Sequence, residues 1–291
     1  MARTEKRFVD VGGTQMAYVE QGEGDPIVFL HGNPTSSYLW RDVIPCLAGL
    51  GRCLAPDLVG MGDSDKLADS GPESYRYVDQ RRCLDRWFEA VGATAKVTLV
   101  GHDWGSALAF DWACRHPEAV RAIAYMEAIV APMSSDALPP AVAGLFGGLR
   151  SPAGEEMILD NNMFVEAVLP AGVLNPPAPE VLEEYRRPFA EVGEGRRPTL
   201  SWARQVPIDG EPADVTAIVA RYSTWMASNA IPKLFVNAEP GASLVGAARD
   251  FCRRWPNQTE VTVSGLHFVQ EDSPKEIGAA LADWLETATA R

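Results

Sequence analysis

Residues Val97–Gly105, Val-Thr-Leu-Val-Gly-His-Asp-Trp-Gly, limit the possible folds of this chain more than any other stretch. An apolar run ends at Val100, a Gly-x-Asp-x-Gly turn follows, and Ser106–Cys114 reads as a helix. Strand, tight turn and helix in that order make a nucleophile elbow, which carries a reactive side chain at the top of a sheet. Gly101 and Gly105 permit the turn and the close approach of helix to strand. At the tip stands Asp103, where serine is the commoner residue. A carboxylate in that place attacks carbon and leaves an ester on the protein. A Gly-x-Asp-x-Gly turn also occurs incidentally, so the case rests on what the remaining chain places around it.

The rest of the chain supplies a frame of strands alternating with helices. Arg7–Val11 and Gln15–Glu20 read as a hairpin around Gly12-Gly13. Pro26–Leu30 is a fully apolar strand, as in a sheet covered on both faces, and Arg52–Pro56 is the next. Between them a helix is expected from Ser36 or Ser37 toward Leu47. Gly60-Met61-Gly62 lacks the third glycine and the following helix of a phosphate loop and reads as a plain turn. Tyr75–Val91 has the periodicity of an amphipathic helix, and Val120–Met126 reads as the sixth strand.

From Pro132 to about Pro212 no strand pattern appears. Short helical pieces are expected at Pro140–Leu149, Gly154–Leu169, Pro179–Val192 and Thr199–Val206. The rhythm then resumes with a helix Val215–Ser228, a strand Pro232–Val236, a helix Ala247–Trp255, a strand Thr259–Val263 and a closing helix Pro274–Thr287. This predicts an α/β fold, an eight-stranded and mostly parallel sheet flanked by helices, with a helical cap inserted after the sixth strand. The boundaries follow as a core from 1 to 131, a cap from 132 to 213, and a second part of the core from 214 to 291.

Composition narrows the partners. Of 291 residues 46% are hydrophobic, enough for a sizeable core, and a net charge of −13 argues against nucleic acid or an anionic membrane as partner. Such a balance suits a neutral small molecule. Met1–Gly13 has no apolar centre like that of a secretory leader, and no apolar run approaches membrane-spanning length, so a cytoplasmic protein is expected. Cys46, Cys53, Cys83, Cys114 and Cys252 are scattered, with neither metal-ligand nor disulfide spacing, and read as buried thiols.

Sites on open α/β sheets form beyond the carboxyl ends of the strands. Those ends carry Asn33, then Asp103 and Trp104, then Glu127, and last His267; Glu239, after the seventh strand, competes with Glu127 as the acid. His31 and His102 flank the group and read as hydrogen-bonding supports, and His116 as a capping or surface residue. Nucleophile, acid and histidine in this order match the α/β-hydrolase triad.

With these residues the chain resembles the haloalkane dehalogenases of the α/β-hydrolase fold, in particular those with the acid after the sixth strand. The resemblance runs over nearly the whole chain, through His31-Gly32-Asn33-Pro34-Thr35-Ser36-Ser37-Tyr38-Leu39-Trp40, Gly101–Gly105, Met126-Glu127-Ala128-Ile129, Arg196–Trp202, Asn237-Ala238-Glu239-Pro240-Gly241 and His267–Asp272. It implies hydrolysis of carbon–halogen bonds with no metal or organic cofactor. The partners would be a haloalkane, water and a halide ion; the sequence leaves the oligomeric state open, with a monomer as the first expectation. Asp103 would be the nucleophile, His267 the base and Glu127 its acid. Asn33 and Trp104 would bind halide through side-chain N–H groups and an oxyanion through backbone N–H groups. Phe146 and Phe164 would line the pocket, with Leu174, Ala203, Ser243 and Leu244 around it or at its mouth. Relatives often carry proline at Ala203 and a larger apolar residue at Ser243.

Two other functions stay open at this level. An epoxide hydrolase of the same fold uses the same aspartyl ester and two lid tyrosines, for which Tyr185 and Tyr222 are available. A non-catalytic small-molecule binder of this fold would lack the full set of nucleophile, base, acid and halide donors.

Overall fold

In the computed structural model, which describes residues 5–288, the chain builds one eight-stranded sheet. Its strands are β1 (Arg7–Asp10), β2 (Gln15–Gln21), β3 (Pro26–Leu30), β4 (Arg52–Pro56), β5 (Val97–Asp103), β6 (Val120–Ala128), β7 (Lys233–Pro240) and β8 (Gln258–Gly265). They lie in the order β1-β2-β4-β3-β5-β6-β7-β8. The hairpin β1–β2 joins β4 antiparallel, and every pair from β4 through to β8 is parallel. Met1–Thr4, part of the stretch read as lacking a leader, lie outside the described residues.

The central strands β3 and β5 are almost wholly buried, as in a sheet that helices cover on both faces. Those helices are α1 (Tyr77–Ala90), α2 (Trp104–Arg115), α6 (Ala213–Met226), α7 (Gly246–Cys252) and α8 (Pro274–Ala288). Between β6 and α6 run α3 (Pro140–Arg150), α4 (Pro179–Arg186) and α5 (Arg197–Arg204), joined by shorter turns. The backbone there makes only isolated bridges at Met133, Ile208 and Glu211 among the described residues. Leu149, Ile158, Leu159, Phe164, Leu200 and Ala203 give this segment its own small apolar cluster. No described helix is long and apolar enough to cross a membrane.

Two expected helices are corrected. In place of one helix from Ser36 or Ser37 to Leu47 there are two 3-10 turns, Ser37–Trp40 and Ile44–Cys46. Ser36 Oγ caps the first by accepting the Tyr38 N–H, and Pro45, which has no N–H, prevents a continuous ladder. The run Gly154–Leu169 is also broken. Asn162 takes a left-handed φ of 50° between two short π-turns, Glu156–Asp160 and Phe164–Val168. Cys46, expected among buried thiols, is exposed, because its turn lies on the surface.

Candidate active site

Asp103 sits where β5 becomes α2, with φ 50° and ψ −126°. A non-glycine residue in that region is strained and persists only where its surroundings over-determine it. Here they do. A Cβ at Gly105 would overlap the Leu30 carbonyl and one at Gly101 would meet the Ser106 backbone, so helix and strands are in direct backbone contact. The Ser106 hydroxyl donates to the Asp103 carbonyl at 2.5 Å and accepts the Ile129 N–H at 3.2 Å, tying the turn to the end of β6. Asp103 Oδ2 accepts the Asn33 N–H at 2.9 Å, and the Trp104 N–H is a second donor to this carboxylate. Burial raises the Asp103 carboxyl above its usual range, against the opposing pull of His267 and these two N–H groups.

His267 follows β8 and stands between two carboxylates. Its Nε2 lies 3.8 Å from Asp103 Oδ1 and its Nδ1 lies 3.4 Å from Glu127 Oε2. Burial works against its charged form. The Glu127 hydrogen bond and the field of Asp103 and Glu127 outweigh that and hold it above the ordinary histidine value.

Glu127 reaches the imidazole because β6 bulges at it. His102 pairs with Met126 and Asp103 with Ala128, leaving Glu127 as the extra residue with φ 44°. A bulge of this kind re-aims a side chain at the end of a strand. The buried carboxylate accepts the N–H groups of Ala242 at 3.0 Å, Ser243 at 2.6 Å and Leu244 at 3.4 Å. Glu239, the competing acid, is 60% exposed at its side chain and pairs with Arg249 at 2.9 Å.

The flanking histidines are fixed by backbone. His31 Nε2 accepts the Leu58 N–H, and burial pushes its pKa down to about 4. His102 donates from Nε2 to the His267 carbonyl at 2.7 Å, and burial holds it well below the ordinary range. His116 ends α2 and packs on Trp112.

On the other side of Asp103 the Trp104 ring packs against Tyr77 and Trp202, at 5.6 and 4.9 Å between ring centres. Asn33 Nδ2 donates one hydrogen to the Thr199 carbonyl of α5 at 3.0 Å, which leaves its second hydrogen free to bind. Phe164 and Ala203 share the cluster of segment 132–213, with Phe146 against it. Leu244 is buried in the main core, while Leu174 is 42% exposed. Ser243, expected near the pocket mouth, has its hydroxyl 3.0 Å from His267 Nδ1. That contact, the three N–H groups on Glu127 and the Thr199 carbonyl were not anticipated from sequence. Gly241, with φ 75°, was the one local sign of a sharp loop there.

The tyrosines available to an epoxide hydrolase are occupied. Tyr185 donates to Glu271 at 2.5 Å and Tyr222 to the Ile129 carbonyl at 2.6 Å.

A family model described as alpha/beta hydrolase fold matches residues 25–274. A haloalkane dehalogenase of Sphingobium indicum is 58% identical over 96% of this chain and 94% of its own length. The chain belongs to the haloalkane dehalogenase family. A crystal structure of a haloalkane dehalogenase from Agrobacterium tumefaciens C58 superposes with a TM-score of 0.91 at 38% identity, covering 98% of this chain and 97% of that one. The family has neighbours of other chemistry. A coelenterazine h 2-monooxygenase of Renilla reniformis is 40% identical over 92% of this chain and 85% of its own.

Proposed function

We propose that this chain hydrolyses carbon–halogen bonds of neutral haloalkanes, with residues 132–213 as the cap over the site. Asp103 Oδ1 attacks the carbon in line, a C–O bond forms, the C–halogen bond breaks, and the halide takes the bonding pair. The Trp104 indole N–H and the free Asn33 amide hydrogen receive that ion. An alkyl ester of Asp103 remains. Water then attacks the ester carbonyl while His267 Nε2 takes its proton, and the carbonyl oxygen becomes an oxyanion held by the backbone N–H groups of Asn33 and Trp104. Collapse releases the alcohol and restores the carboxylate, and the proton leaves to solvent. Glu127 holds the imidazole and stabilises its charged form. Phe146, Phe164 and Ala203 form the apolar wall that suits an uncharged chain.

The observation that carries this reading is Asp103 on the elbow, with Asn33 and Trp104 on one side and His267 backed by Glu127 on the other. Adding 1-bromobutane or 1,2-dibromoethane should release bromide with multiple turnovers. Asp103→Ala should release none. Turnover by that variant at a tenth of wild type would reject Asp103 as nucleophile.

A further inference from the structure

The loop that follows β7 bears on this reaction in a way that residue type alone does not reveal. Four contacts to the Arg249 guanidinium tie it to the end of β7. Nε donates to the Leu244 carbonyl at 2.8 Å, Nη2 donates to Ala238 and Pro240 at 2.9 Å each, and Nη1 pairs with Glu239 at 2.9 Å. The loop presents its N–H groups to Glu127 and the Ser243 hydroxyl to the imidazole. At 3.4 Å the bond from His267 Nδ1 to Glu127 Oε2 is long, and that oxygen already accepts from Ala242 and Ser243. Ser243 Oγ is closer, at 3.0 Å. A hydroxyl accepts one proton while turning its own toward solvent, which an exposed serine is free to do.

We infer that Ser243 is a positioning residue: its hydroxyl shares the Nδ1–H of His267 with Glu127, fixing the tautomer that leaves Nε2 free to take a proton from water. This rests on the two-step reading above. The hydroxyl then serves ester hydrolysis and has no part in halide displacement, which needs no base. A leucine-sized apolar residue at this place would leave the proton to Glu127 alone.

Single-turnover experiments on the full chain with 1-bromohexane separate the two steps. For Ser243→Ala the bromide burst should stay at one per chain with its rate within about twofold of wild type, while decay of the hexyl ester slows about tenfold. Ser243→Thr, which keeps the hydroxyl, should restore the decay. The pH limb of ester decay should also move to lower pH in Ser243→Ala, because an acceptor for the imidazolium is lost. Facing that ring are His102 and Asp103 from β5, the latter esterified at this stage, and Glu127 from β6. Unchanged decay in Ser243→Ala, equal slowing of both steps, or identical behaviour of the Ala and Thr variants overturns the assignment to Ser243. Absence of any bromide burst in the wild type removes the two-step reading itself, and Ser243's role with it.

Discussion

In the proposed reaction Trp104 and His267 serve different steps, and each can be tested alone. On the proposed reading the Trp104 indole N–H receives the leaving group as charge develops on it. Trp104→Phe should slow the halide burst by about 10²–10³-fold, the loss expected for one preorganised anion donor, and weaken bromide binding in parallel. A burst and a bromide affinity that both survive would put the leaving group elsewhere. His267 is more sensitive to its surroundings. In the free protein the Glu127 hydrogen bond and the field of Asp103 and Glu127 overcome burial and raise its pKa above the ordinary value. In the proposed ester the Asp103 charge is gone, and with it part of that support. The ring should thus lose its proton more readily once it is needed as a base. Its pKa followed by proton NMR in the free protein should exceed the apparent pKa of ester decay in single-turnover experiments. Equal values would mean that Asp103 does not set the basicity of the ring.

The bulge at the end of β6 puts Glu127, and not Glu239, beside the imidazole. Glu127→Gln should slow ester decay at least about a hundredfold, because an amide cannot support an imidazolium, while leaving the burst intact. Glu239→Gln, altering an exposed partner of Arg249, should change decay by less than about threefold. The reverse ranking in stopped-flow measurements would move the acid to β7. The bulge behind this contrast also marks how far the chain could be read unaided. Apolar runs at Pro26–Leu30 and Val97–Val100, and the glycines around Asp103, carry strong local signals, so β3, β5 and the elbow were legible. A bulge depends on how two strands pair, and nothing in Met126-Glu127-Ala128 alone announces it. The same limit applies to Ser36–Leu47, where Pro45 broke a ladder that local periodicity favoured, and to Ser243, whose partner is 24 residues away in sequence.

Across the whole molecule, segment 132–213 is fastened to the rest of the chain by polar contacts at several points. Tyr185 of α4 donates to Glu271, which also takes a bidentate pair from Arg41 at 2.6 Å, and Arg187 reaches Asp63 at 2.8 Å. Tyr185→Phe removes a buried bond to a carboxylate and should lower unfolding stability in urea by about 1.5–3 kcal/mol. A loss below about 0.5 kcal/mol would show that this clamp adds nothing to the packing around it. One of these fasteners has a different kind of consequence. The amide of Asn33 is aimed by the Thr199 carbonyl, a main-chain atom of α5. On the proposed reading, the exit for the departing ion is thus shared property of both halves of the molecule. An engineer who grafts a foreign lid to change substrate range would also re-aim the group that greets bromide or chloride, so variants chosen for shape should differ in their ranking of leaving groups.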